Sequence, residues 1–234
     1  GLMHLLAAIP GQVSDGTEPV DLCQSPADLV VLTAADTELA ALAAARAVTP
    51  EAPSLRLANL THLAHPMSVD LHIEGCASGA KLVIARVLGG MGYWRYGAEQ
   101  YAAHMQAAGI PLALLPGDDK PDPDLRDLST VSDEDYDALW ACFVEGGPGN
   151  AATLLRHARA MIDGTERPEP ARPLLRAGAY WPGQGACDLE TLRARWTGGP
   201  VVPIVFYRAL LEGAGLAPID ALVEALTARG LAPL

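Results

Sequence analysis

Residues 81–96 read Lys81-Leu82-Val83-Ile84-Ala85-Arg86-Val87-Leu88-Gly89-Gly90-Met91-Gly92-Tyr93-Trp94-Arg95-Tyr96. The first eight are rich in β-branched and apolar residues on both faces, the pattern of a central parallel strand covered on both sides. The glycine pair ends that strand, and Tyr96-Gly97-Ala98-Glu99 open a helix that runs to Gly109. Residues 110–115 form the next strand, stopped by Pro116-Gly117-Asp118-Asp119. Toward the N-terminus, residues 3–8, 28–33 and 54–59 read as strands. Asp36 stands where a helix cap belongs, with Leu39, Leu42 and Ala43 at helical spacing behind it. Residues 66–76 fit both periods, and Pro66-Met67-Ser68 as an opening turn favours helix. Strands alternating with helices of this length predict right-handed βαβ units. The fold class is therefore α/β: an open parallel sheet, Rossmann-like or flavodoxin-like, with helices on both faces.

The second half changes character. Ser132 caps a helix carrying Tyr136, Leu139, Trp140 and Phe143, with Trp140 and Phe143 read as core. Gly146-Gly147-Pro148-Gly149-Asn150 breaks it, and residues 151–162 form a second helix. Residues 164–200 are rich in Pro and Gly and read as a connector anchored by Trp181 and Trp196. Residues 201–207 are a fresh strand and 219–229 a helix. The predicted organisation is an α/β domain over 3–126, a helical hairpin over 127–163, the connector over 164–200, and the start of another α/β unit over 201–234. That last unit opens as β-α without its closing strand, so the chain is expected to be a fragment of a larger protein.

Half of the 234 residues are hydrophobic but only 5% are aromatic, so the core must be built mainly from Ala, Leu and Val. The formal net charge of −12 speaks against nucleic acid and against an anionic membrane surface as partners. No apolar run reaches membrane-spanning length. The N-terminus lacks the charged and apolar regions of a signal peptide. Cys23, Cys76, Cys142 and Cys187 are far apart, without a CxxC pair, and read as free thiols in a reducing cytoplasm.

In open parallel sheets, ligands gather outside the carboxyl ends of the strands. Three loops fall there: residues 33–36, 89–96 and 116–120. Asp36, Gly89, Gly90, Tyr93, Trp94, Tyr96, Asp118 and Asp119 are therefore the candidate substrate-binding residues. The glycines let backbone amides approach a ligand, the aromatic rings could stack on a planar one, and the carboxylates accept from donor groups. The competing reading is a tight turn, aromatics closing the core, and a solvated acidic turn. GGMG is not GxGxxG, and no Walker A sequence occurs, so the chain itself should not hydrolyse ATP. His62, His65, Asp70 and His72 make a weak metal set. Pro66 holds His65 extended, which suits a capping role better. No catalytic residue and no metal ligand is assigned.

Several ordered strings carry a resemblance: Asp36-Thr37-Glu38, Arg56-Leu57-Ala58-Asn59-Leu60, His65-Pro66-Met67-Ser68-Val69-Asp70, Leu88-Gly89-Gly90 with Tyr93-Trp94 and Tyr96-Gly97, Leu115-Pro116-Gly117-Asp118-Asp119, and Val205-Phe206-Tyr207-Arg208. Together they resemble the N-terminal region of the large, CobN-type subunit of aerobic cobaltochelatase, a family related to the magnesium chelatase large subunit. The resemblance implies ATP-dependent insertion of cobalt(II) into hydrogenobyrinic acid a,c-diamide, in cobalamin synthesis in the cytoplasm. It implies separate AAA+ ATPase subunits as partners and a tetrapyrrole as substrate. Cobalt(II) and ATP would be used by the full complex, with no cofactor in this fragment, which alone would be inactive. Two other readings stay open at this point: an interaction module of a magnesium-chelatase-like complex, and a stand-alone flavodoxin-like domain for a small ligand.

Overall fold

The computed structural model describes residues 6–7, 18–174, 176–212 and 215–234. Of the expected strand at 3–8, Leu6–Ala7 form β1, paired in parallel with β2 (Val20–Asp21); the rest lies outside the described residues. Then come β3 (Leu29–Thr33), α1 (Asp36–Val48), β4 (Leu55–Asn59), α2 (Pro66–Gly75), β5 (Leu82–Val87), α3 (Arg95–Ala108) and β6 (Leu112–Pro116). The sheet order is β4-β3-β5-β6, all parallel, with Leu29 opposite both Leu55 and Leu82, and Val83 opposite Leu112. The α/β reading of the sequence is thus the architecture observed.

Every residue of β5 is buried, because helices cover both faces. Val83, Ala85 and Val87 face α2, α3 and α4 (Pro123–Leu128), where Val69, Ile73, Tyr101, Met105 and Leu125 pack. Leu82 and Ile84 face α1, α5 (Asp133–Glu145) and α6 (Gly147–Asp163), against Leu42, Tyr136, Leu139, Leu154 and Leu155. The helical pair α5–α6 thus forms, together with α1, one of the two layers that cover this sheet.

Several local expectations are revised. Asp36 is the first residue of α1, not its cap; the cap position is Ala35, without a side-chain bond. Thr33 Oγ1 takes the Ala35 amide at 3.2 Å in the turn before the helix, and Asp36 accepts from Asn59 Nδ2 at 2.9 Å. The break after α5 is confined to Gly146 and Gly147, at φ 69° and 87°, and α6 starts at once, with Pro148 to Asn150 in its first turn. Trp140 is only partly buried, and its Nε1 donates to the Asp118 carbonyl at 2.9 Å. Other readings hold. Residues 66–75 are helical, and His65 caps them, its Nδ1 accepting from the Met67 amide at 3.1 Å. Ser132 caps α5 through the Asp135 amide.

The segment 164–200 is tied down at both ends. Asp135 accepts from Arg167 at 2.8 and 3.0 Å and pairs with His157 at 2.7 Å, and the Arg167 bonds foremost hold its carboxyl down at about 2. Further on, β7 (Ala179–Trp181) and β8 (Gly185–Cys187) form an antiparallel hairpin. It is followed by α7 (Leu189–Arg193), capped by Asp188. Trp196 Nε1 donates to the Pro233 carbonyl at 2.7 Å. The last elements are β9 (Val201–Val202), α8 (Arg208–Glu212), α9 (Ala217–Ala228) and β10 (Ala232–Pro233). β9 and β10 pair in parallel, so this βα unit does close, through two residues.

One buried polar chain crosses the α2–α3 layer. Gln24 donates to the Leu57 carbonyl, so its Oε1 accepts from His72 Nε2 at 2.9 Å, and His72 Nδ1 accepts from the buried Tyr101 hydroxyl. Burial lowers His72 to about 4 and pushes Tyr101 up. The unfolded chain takes a proton on His72 near 6.5 and the folded one only near 4, so stability falls as pH drops through that window. At about 1.4 kcal/mol per unit the loss reaches about 3 kcal/mol. Thermal melts from pH 7 to 4 should show it, and His72→Gln should flatten the slope. Asp135 adds its own loss only at lower pH, from 3.8 down to about 2.

Candidate functional site

The chain leaves β3 toward β4 on one side and β5 toward β6 on the other. The switch point of the sheet therefore lies at the carboxyl ends of β3 and β5, where ligands bind in open α/β folds. The loop after β5 is locked there. Gly89 and Gly90 have φ of 85° and 73°, which a side chain disfavours. The Gly90 amide donates to the Val87 carbonyl, and so does that of Gly117. A Cβ on Gly117 would lie 2.4 Å from Leu88 Cα, and one on Gly90 2.6 Å from an Asp122 oxygen, so both loops touch through glycine.

This turn sorts the aromatic residues. Leu88 and Tyr93 point outward, 56% and 71% exposed. Trp94 turns inward and is 4% exposed. Its ring lies 5.5 Å from that of Tyr101, and its Nε1 donates to the Leu63 carbonyl at 2.9 Å. A Cβ on Gly97 would fall 2.0 Å from the Trp94 ring, which is why α3 carries glycine there. Trp94 thus closes the core and supports the loop from below. Tyr96 is at the surface, its hydroxyl donating to both Asp70 carboxylate oxygens, which raises its own ionisation point. Asp118 accepts from the Lys120 amide, and Asp119 is exposed beside it. Of the eight residues expected at the site, Asp36, Gly89, Gly90, Tyr93, Tyr96, Asp118 and Asp119 lie on the rim loops and the first helical turns behind them.

Arg86 is not among the residues expected at the site. It lies on β5 facing the α1 and α5 layer, and it is buried. It pairs with Glu38, donates to the carbonyls of Pro116 at 3.2 Å and Phe143 at 3.4 Å, and sits 5.2 Å over the Phe143 ring. Thr33 donates to the other Glu38 oxygen at 2.8 Å. A cavity of about 270 Å³ opens beside this pair, lined by Thr37, Gly117 and Gly147 among others. The available signal was a lone cation inside an apolar strand, since buried charges are paired or functional. A larger cavity of about 720 Å³ lies in the last third of the chain, lined by Tyr180, Ile204, Phe206, Val223 and Leu234. Among the described residues no group of three or more His, Cys, Asp or Glu side chains could hold a metal ion. No helix among them is long and apolar enough to cross a membrane. The rim offers a rigid exposed ring, apolar contact and carboxylate acceptors.

Residues 140–234 match a family model described as CobN/Magnesium Chelatase. The chain is similar to the aerobic cobaltochelatase subunit CobN of Sinorhizobium sp, 45% identical over 241 residues, covering 99% of the chain and 19% of that relative. It is also similar to the protein of the same name from Pseudomonas aeruginosa, 40% identical over 236 residues, with the same coverages. Among solved structures it is similar to the catalytic subunit of cobaltochelatase from Mycobacterium tuberculosis, with a TM-score of 0.66 and 22% identity, over 90% of this chain and 16% of that one. This last likeness shows the fold. The chain spans about a fifth of the length of the curated relatives it matches. Identity at this level over nearly every residue, with two relatives that share a name, makes the chain a segment of the CobN/magnesium chelatase family.

Proposed function

We propose that the chain is the part of a cobaltochelatase large subunit that presents a binding rim for the tetrapyrrole. The observation that carries the reading is the 45% identity to a named cobaltochelatase subunit across the whole chain. In this reading the full subunit inserts cobalt(II) into hydrogenobyrinic acid a,c-diamide in the cytoplasm. Separate AAA+ ATPase subunits supply the energy, and this segment alone is inactive. Tyr93, with Leu88 beside it, stacks on the ring system. Gly89 and Gly90 allow close approach, and Asp36, Tyr96, Asp118 and Asp119 take the substrate's donor groups. Trp94 acts from beneath, by holding the loop.

The test is titration of the full-length subunit with the tetrapyrrole. Losing one aromatic contact costs about 1 kcal/mol, roughly fivefold in Kd. Tyr93→Ala should weaken binding by that factor with an unchanged melting temperature, since the ring is exposed. Unchanged affinity would remove the rim from substrate binding. A second reading, docking of the ATPase partners, is favoured by the carboxylates of Asp36, Asp118 and Asp119 exposed on the same rim. It predicts that Tyr93→Ala weakens partner capture and leaves the tetrapyrrole Kd alone.

A further inference from the structure

The β9–β10 pair is a parallel ladder that is open in one direction. Ala232 donates to the Pro200 carbonyl at 2.9 Å, Leu234 donates to that of Val202 at 2.9 Å, and Ile204 donates to that of Leu234 at 2.6 Å. The even-numbered amides of both strands therefore face each other, and the odd-numbered ones face outward. The outward positions include Pro203 and Pro233, which have no N–H to offer. Both lateral edges are thereby blunted against a further strand. The line of the ladder is not blunted. Residues 203–207 carry neither helix nor turn, and their burial alternates, with Ile204 and Phe206 turned in and Pro203, Val205 and Tyr207 turned out. Phe206 packs edge-on against Tyr180 at 5.9 Å. Val205 and Tyr207 are 94% and 87% exposed.

A strand that is apolar on both faces belongs to a parallel sheet covered on both sides. Two-residue strands do not make such a sheet stand alone. The relatives are about five times longer than this chain, so polypeptide is available to complete it. We propose that in a polypeptide of the relatives' length the β9–β10 ladder runs on past Phe206. The occupant is a strand of that same polypeptide, in line with β10 and parallel to residues 204–206, and a second layer covers Val205 and Tyr207. Following the even-numbered register, the Phe206 amide donates to this strand, while those of Val205 and Tyr207 point away from it.

Amide-resolved hydrogen exchange tests this, comparing the 234-residue chain with a polypeptide of the relatives' length that contains it. The Phe206 amide should exchange at least a hundredfold more slowly in the longer polypeptide, and the Val205 amide should slow by much less. Equal, fast exchange of Phe206 in both would overturn the proposal. So would protection of Val205 and Tyr207 in place of Phe206, since that marks lateral addition. Protection that appears in the 234-residue chain as its concentration rises would also overturn it, by assigning the site to a second copy.

Discussion

Replacing Glu38 with alanine is expected to cost about 3–5 kcal/mol of stability, the scale for removing one member of a buried ion pair. Arg86 is the reason. It sits on the central strand with apolar neighbours along the chain, and Glu38 is the carboxylate it pairs with. Without Glu38 the guanidinium keeps two carbonyl acceptors, from Pro116 and Phe143, but loses the counter-charge it pairs with. Combining Glu38→Ala with Arg86→Met removes the stranded charge. The double variant should therefore be more stable than Glu38→Ala alone, a non-additivity that denaturant titrations read directly. Equal midpoints for the two variants would show that water reaches Arg86 through the adjacent cavity and screens it.

The second large effect is at Trp94. Truncation to alanine removes a fully packed ring and its bond to the Leu63 carbonyl, a loss of about 3–5 kcal/mol by the scale of large-to-small core changes. For a chain of this size that corresponds to a fall of roughly 12 °C in melting temperature. Tyr93→Ala, one residue away, should leave the melting temperature unchanged. The contrast matters for any binding study of this loop. Lost ligand affinity in a Trp94 variant reports a loosened loop, whereas lost affinity in a Tyr93 variant reports a lost contact.

The sheet was legible because its strands obey simple rules. Apart from Arg86, residues 82–87 are apolar on both faces, and strands 29–33 and 112–116 follow suit, so a doubly covered parallel sheet was the natural reading. His65 as a cap followed from the Pro66 beside it. What escaped depends on contacts between distant residues. Asp36 has the right chemistry for a cap, but it lies one residue inside the helix and its carboxylate is taken by Asn59. Tyr93 and Trp94 are equivalent in the sequence, and only the path through Gly90, with Gly97 hollowed out beneath, decides which one faces solvent. Residues 201–207 read as a strand of seven, yet only two pair, because pairing is a property of the partner. Arg86 was hidden by the apolar company that makes it informative.

The unequal way the two faces of the sheet are covered has a consequence for synthesis on the ribosome. Helices α2, α3 and α4 interleave with the strands they cover, so that layer is complete once residue 128 has emerged. The opposite face has only α1 until residues 133–163 follow. In that interval Leu82, Ile84, Ala113 and Leu115 are made but lack the α5 and α6 side chains that will bury them. The nascent chain then shows its broadest apolar surface, and a pause in translation there would hold it in its most aggregation-prone form.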